Sequence, residues 1–132
     1  MARIAHTVLE STQGYAVTQR VRTHTLHADE PVSSGGTDTG PTPYELVLAG
    51  LAACTAITLR MYAQRKGWEL GTLKIDAELH KDTPDSTGRI ARMISFGAPL
   101  SDEQRQRLAE IAEKTPVTRT LRAGTPIETR LA

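Results

Sequence analysis

The 132-residue sequence holds one cysteine, Cys54. A lone cysteine excludes an internal disulfide and any multi-cysteine zinc spacing. The expected compartment is a reducing cytoplasm. Charge of one sign is also missing. Sixteen Lys and Arg oppose 15 Asp and Glu, for a formal net charge of +1. Without a basic run there is no footprint of a nucleic-acid groove or a membrane patch. The opening residues, Met1 followed by ARIAHTVLE, do not form a leader pattern. The longest nearly apolar segment, Leu46 to Leu59, falls short of the roughly 20 residues a membrane span needs. Metal and phosphate chemistry are not signalled either. His24 and His27 are three apart in an extended segment and point to opposite faces, and His6 and His80 stand alone. GGTDTGPT has the glycines of a phosphate loop but not the lysine after the last of them. No resident metal or cofactor is expected.

What remains is an ordinary globular composition, 39% hydrophobic and 23% charged, in a length that suits one domain over residues 1–132. ARIAHTVLE reads as a first strand, a turn follows at Thr12–Tyr15, and YAVTQRVRTHTLHADE runs extended. A loop punctuated by Pro31, Gly35, Gly36, Gly40 and Pro41 then leads into the strongest helix signal in the chain. Thr42 is an N-cap with Glu45 three residues on, and Pro43 fits the first helical position. Arg65 and Lys66 suit the C-terminus, and Gly67 is a stop. The helix is expected over 43–66, about 36 Å long. Its middle is apolar or small nearly all round. A helix of that kind is enclosed on all sides, and a chain this short needs a partner to enclose it, most simply a second copy.

Two strand segments follow, TLKIDAELHKD and RIARMISFGAP. In the first, Leu73, Ile75, Ala77 and Leu79 share one face. Ser101, with Gln104 three residues on, caps a second helix expected to end near Lys114, before Pro116. A last strand is expected around TPIETRLA. The class is α+β.

From the residues alone, a cysteine in an apolar helix is an inert core side chain, because burial raises the thiol pKa. The run GPTPYELVLAGLAACTAITL changes that reading. Its proline, its small-residue helix and a cysteine eleven positions past Pro43 resemble the OsmC/Ohr-like proteins. EKTPVTRTL is similar to that family's segment around a second cysteine, and the order of elements matches over essentially the whole chain. The resemblance implies an intertwined homodimer, with two long cysteine-bearing helices packed centrally on antiparallel sheets. It also implies thiol-based reduction of hydroperoxides, preferably organic ones. On it, Cys54 takes the place of the peroxide-attacking cysteine, and Thr115 stands where the second, resolving cysteine would be. Tyr44 stands where the family has a glutamate that helps activate the thiol. Glu45, one residue later, lies about 180° round the helix from Cys54, whereas Tyr44 lies about 80° away. Glu45 is thus read as a capping residue. Arg20 and Arg22 are the candidates for the family's thiol-activating arginine.

Three functions follow. One is a one-cysteine hydroperoxide reductase that takes its second thiol from solution. Another is a dimer that binds a small apolar or electrophilic ligand at its interface. The third is a folded relative without activity at Cys54. None involves nucleic acid or a membrane.

Overall fold

The computed structural model describes residues 1–132 and has the element order β1 (Val8–Glu10), β2 (Val17–Val21), β3 (His24–Ala28), α1 (Pro43–Lys66), β4 (Leu73–His80), β5 (Arg89–Phe96), α2 (Asp102–Ala112) and α3 (Pro116–Ala123). The chain forms two compact units, Met1–Val47 and Leu48–Ala132.

The first unit is an antiparallel sheet in the order β1-β2-β3, with Val8 opposite Arg20 and Val17 opposite Ala28. The long extended run expected from the sequence is in fact a hairpin, turning between Val21 and its partner His24. The turn was hidden because it lacks glycine and asparagine. Arg22 itself takes the left-handed conformation, φ 57°, which costs a side-chain-bearing residue about 1–2 kcal/mol. Arg22→Gly is therefore expected to raise the melting temperature of the full chain, with a gain of at most about 1 kcal/mol once glycine's extra unfolded-state entropy is counted. Thermal denaturation checks it.

Residues 29–41 close a loop on Asp29, which is 2% exposed. Its carboxylate accepts hydrogen bonds from the backbone N–H of Glu30 (2.7 Å), Thr37 (3.2 Å) and Thr39 (3.1 Å), and from the hydroxyls of Thr37 (2.6 Å) and Thr39 (2.8 Å). The Thr37 hydroxyl is the main cause, followed by the Thr39 amide, that holds the carboxyl well below the usual carboxylate range. The same closure explains the glycines. A Cβ on Gly36 would lie 2.0 Å from the Glu30 carbonyl oxygen, so loop geometry and not phosphate binding accounts for GGTDTG.

The helix α1 spans the residues expected of it, and its capping box forms: Glu45 N–H donates to Thr42 Oγ1 (3.2 Å) and Thr42 N–H to Glu45 Oε1 (2.8 Å). The expectation of enclosure on all sides is not met within one chain. Only Leu51, Thr55, Leu59 and Ala63 are buried, one stripe at i, i+4 spacing. Val47, Ile57 and Met61 stay 42%, 59% and 53% exposed. By length and composition the helix could cross a membrane. However, Arg60 in its C-terminal third donates to the Gly71 carbonyl at 2.7 Å, and Leu59 and Ala63 of its buried stripe are part of the core of the second unit.

That unit pairs β4 with β5, Leu73 opposite Phe96 and Ala77 opposite Arg92. Its core is Leu59, Ala63, Leu70, Leu108 and Ala112, with Leu73, Ile94 and Phe96 against it. The alternation read in β4 is observed. Ser101 and Gln104 form the expected capping box of α2. The C-terminal expectation fails. Residues 124–132 form no strand, and Ile127 and Leu131 are exposed. Instead Pro116 opens α3, where its missing N–H is no loss, and Thr115 is the N-cap. A proline read as a stop is here a start.

Candidate functional site

Cys54 lies half-buried in the middle of α1. Its one polar contact is Thr58 Oγ1, one turn on, at 4.0 Å. At about 100° per residue, Cys54, Thr58, Met61 and Arg65 fall within about 40° of one helix face. That face borders the buried stripe, so the thiol is neither locked in the core nor fully in water.

The next residue, Thr55, is fully buried and begins a polar cluster. Its hydroxyl donates to the Leu51 carbonyl at 2.7 Å, a bond back to the previous turn. It accepts from Arg92 Nη1 at 2.9 Å. The same Nη1 donates to Thr118 Oγ1 (2.9 Å), and Nη2 donates to the Ala112 carbonyl (3.1 Å). The Arg92 side chain is 11% exposed and lies 3.8 Å from Glu113 Oε1. One guanidinium therefore ties α1, the C-terminus of α2 and the first turn of α3 to β5. Its planar fork of donors suits three acceptors at fixed angles.

Thr115 belongs to this cluster. It is fully buried, its hydroxyl lies 2.6 Å from that of Thr118, and it accepts from the Thr118 N–H at 3.4 Å. The position that the resemblance gives to a resolving cysteine is thus occupied by a helix cap. Tyr44 is 57% exposed in the first turn of α1, ten residues and about 15 Å of helix rise before Cys54. Arg20 lies in β2, and Arg22 forms the hairpin turn. Cys54 itself has no guanidinium or carboxylate contact. No three His, Cys, Asp or Glu side chains converge as metal ligands.

Arg92 was missed in the sequence, yet it left a signal. Ile90, Ile94 and Phe96 alternate inward along β5, and an arginine at Arg92 interrupts that apolar face. Opposite it stands the small Ala77, which leaves room for the guanidinium.

Comparison with known proteins places the fold. Residues 36–130 match the family model of the OsmC-like protein. An uncharacterized protein of Haloferax volcanii is 31% identical over 104 residues, 78% of this chain and 75% of that protein. Among solved structures, an OsmC-like protein of Mycoplasma pneumoniae superposes with a TM-score of 0.78 at 19% identity, over 92% of this chain and 89% of that one. The organic hydroperoxide resistance protein OsmC of Legionella pneumophila gives 0.68 at 20% identity, over 92% of each chain. The organic hydroperoxide resistance protein OhrB of Bacillus subtilis gives 0.63 at 23%, over 91% of each. These structures share the α+β fold.

Proposed function

Because the chain belongs to the OsmC-like protein family, we propose that it reduces organic hydroperoxides through Cys54 and takes its second thiol from solution. The observation that carries the reading is the half-buried Cys54 in the middle of α1, on a face that stays open within the chain. The Cys54 thiolate attacks one peroxide oxygen. The O–O bond breaks, the alkoxide leaves and takes up a proton, and the sulfur becomes a sulfenic acid. A small thiol condenses with it to a mixed disulfide and releases water. A second thiol then frees Cys54 and leaves as the oxidised disulfide. Thr115 cannot take the place of the first of these thiols, since a hydroxyl forms no disulfide. No metal or cofactor takes part, and a thiol-rich, reducing cytoplasm supplies the reductant.

The protein acts as a homodimer in this reading. The exposed apolar side chains of α1, Val47, Ile57 and Met61, are the surface a second copy would cover. Single chains at micromolar concentration in analytical ultracentrifugation would sink this part.

The test of the chemistry uses the full chain with one equivalent of cumene hydroperoxide, followed by intact-mass spectrometry and a sulfenic-acid trap. Expected is a 16-dalton adduct at Cys54 (one oxygen), formed at least tenfold faster than with free cysteine at the same pH, and absent in Cys54→Ser. Excess small thiol should turn the peroxide over. Oxidation no faster than free cysteine overturns the reading.

That outcome would favour a second one, which has its own support. Cys54 has only the distant Thr58 hydroxyl as a polar neighbour, and the Arg92 guanidinium is held by the threonine cluster. A thiol without an activating cation suits a dimer that binds a small apolar or electrophilic ligand, with Cys54 as pocket wall or slow trap.

A further inference from the structure

A cleft of about 550 Å³ opens between the C-terminal end of α1, the Trp68 that follows it, and α2. Small-molecule sites measure about 300–1,000 Å³, so it has room for a whole ligand. It stands apart from Cys54 and from the surface given to the second copy. At about 100° per residue, Tyr62 and Lys66 lie about 100° and 140° round α1 from the middle of the face that carries Val47, Ile57 and Met61. Tyr62 is also about 12 Å of helix rise beyond Cys54.

The lining divides into an aromatic wall and a polar remainder. Tyr62 and Trp68 make the wall, half-buried, with ring centroids 5.6 Å apart at 71°. An edge-to-face pair covers a single ring face, so other faces stay free of it for stacking a ligand. The indole N–H of Trp68 has no partner within the chain. The remainder is balanced in charge, with Lys66 and Arg107 against Glu103 and Glu110. Arg107 is engaged, Nε donating to the Tyr62 hydroxyl (3.0 Å) and Nη1 to Glu110 (2.8 Å). Only Lys66 lacks an ion pair, and the unpaired Glu103 offsets it. Gln104 accepts the Ser101 N–H on Oε1 and keeps its amide N–H groups free, while the Gln106 amide has no partner at all.

We infer that this cleft binds a neutral heteroaromatic ring of the nucleoside-base class, stacked on Trp68 and Tyr62 and read along its edge by Gln106, Gln104 and Glu103. A purely apolar ring would strand these polar groups, and an anion would meet two carboxylates along with the cations. A base supplies both a π-face for the wall and an edge of mixed donors and acceptors. Glutamine forms two hydrogen bonds with the N6/N7 edge of adenine, so adenosine is the fitting probe.

The alternative is that Tyr62 and Trp68 only close the end of the core, against which both pack. Trp68 is the one tryptophan in the chain, so its fluorescence reports on this cleft alone. Titration of the full chain with adenosine should quench it saturably, with a Kd of about 0.1–1 mM for a ligand of this size. Ribose should leave it unchanged. Adenosine monophosphate should bind within about threefold of adenosine, since a balanced lining neither draws nor repels the phosphate. Gln106→Ala retains a good helix former on α2 and should weaken adenosine about fivefold at unchanged melting temperature. Cys54→Ser should bind adenosine as the wild type does, so this result and that of the peroxide chemistry stand or fall separately. No saturable quenching by adenosine, or equal affinity in wild type and Gln106→Ala, overturns the site. Monophosphate binding tenfold tighter than adenosine overturns it too, since the cleft would then select an anion.

Discussion

Replacing Arg92 with methionine is expected to lower the unfolding free energy by about 3 kcal/mol. The guanidinium is 11% exposed and donates to Thr55, Thr118 and the Ala112 carbonyl. Hydrogen bonds to a charged group contribute about 1.5–3 kcal/mol each, and removing the donor leaves buried oxygens unpaired. The methionine stem retains most of the packing, so the loss reports on the polar contacts. Not every acceptor is stranded equally. Thr55 still donates to Leu51, and Thr118 retains Thr115, which is why the estimate lies well below the sum of three such bonds. Arg92→Lys should recover only part of the loss, since an ammonium cannot span three acceptors on three helices. Removing a partner along with the donor is the stricter test. Arg92→Met/Thr118→Val is expected to lose less than the two single variants added together, because no hydroxyl is then left to lack its donor. Urea denaturation at unchanged m value measures all of these. A single-variant loss below about 0.5 kcal/mol, typical of a surface site, would show that the cluster does not hold the helices to β5.

The second large effect lies at Asp29. Asp29→Ala removes the acceptor for five hydrogen bonds that come from three residues across the loop. Their donors would be left near a buried centre, so residues 30–40 should become sensitive to limited proteolysis and the melting temperature should fall by several degrees. Asp29→Asn separates charge from shape. Its amide has one oxygen to offer and turns an N–H donor toward donors. The charge also gives a pH signature. The folded carboxyl is held well below its unfolded value, chiefly by the Thr37 hydroxyl and the Thr39 amide. Below the unfolded pKa, about 3.9, the unfolded chain therefore binds a proton that the folded chain does not. The stabilisation is complete above that value and is lost as pH falls below it. The wild type should accordingly lose melting temperature more steeply than Asp29→Asn on acidification below about pH 4. Parallel curves for the two proteins would show that the carboxylate contributes nothing through its charge.

Both residues lie where the sequence was hardest to read. The helix α1 was legible to its ends because its signals are local: Thr42 reaches Glu45, and Gly67 follows the last turn. The capping box of α2 and the alternation of β4 were legible for the same reason. The β2–β3 turn was not, since it uses Arg22 where glycine or asparagine is the usual sign. Pro116 carried two meanings, a stop after one helix or the first residue of another, and only the packing of Thr115 and Thr118 beneath Arg92 selects the second. A cap and a breaker differ in what the next turn packs against, which no window of sequence contains.

By itself the sequence determined the α+β class, the long helix with Cys54 at its middle, and a likeness to a family that carries chemistry at that cysteine. It also determined that no disulfide partner exists in the chain. The tertiary structure alone decided that Thr115 is a buried cap, that Arg92 serves the threonine cluster and not the thiol, and that Trp68 and Gln106 meet at one cleft. The reason is range. A helix and its caps are settled by contacts three or four residues apart, where propensity and pattern act. Arg92 meets Thr55 across 37 residues, and Gln106 comes to Trp68 only because α2 packs back on α1. Contacts of that span arise from burial of the whole core, so they are fixed when the chain folds and leave at most a trace, such as one arginine on an apolar strand face.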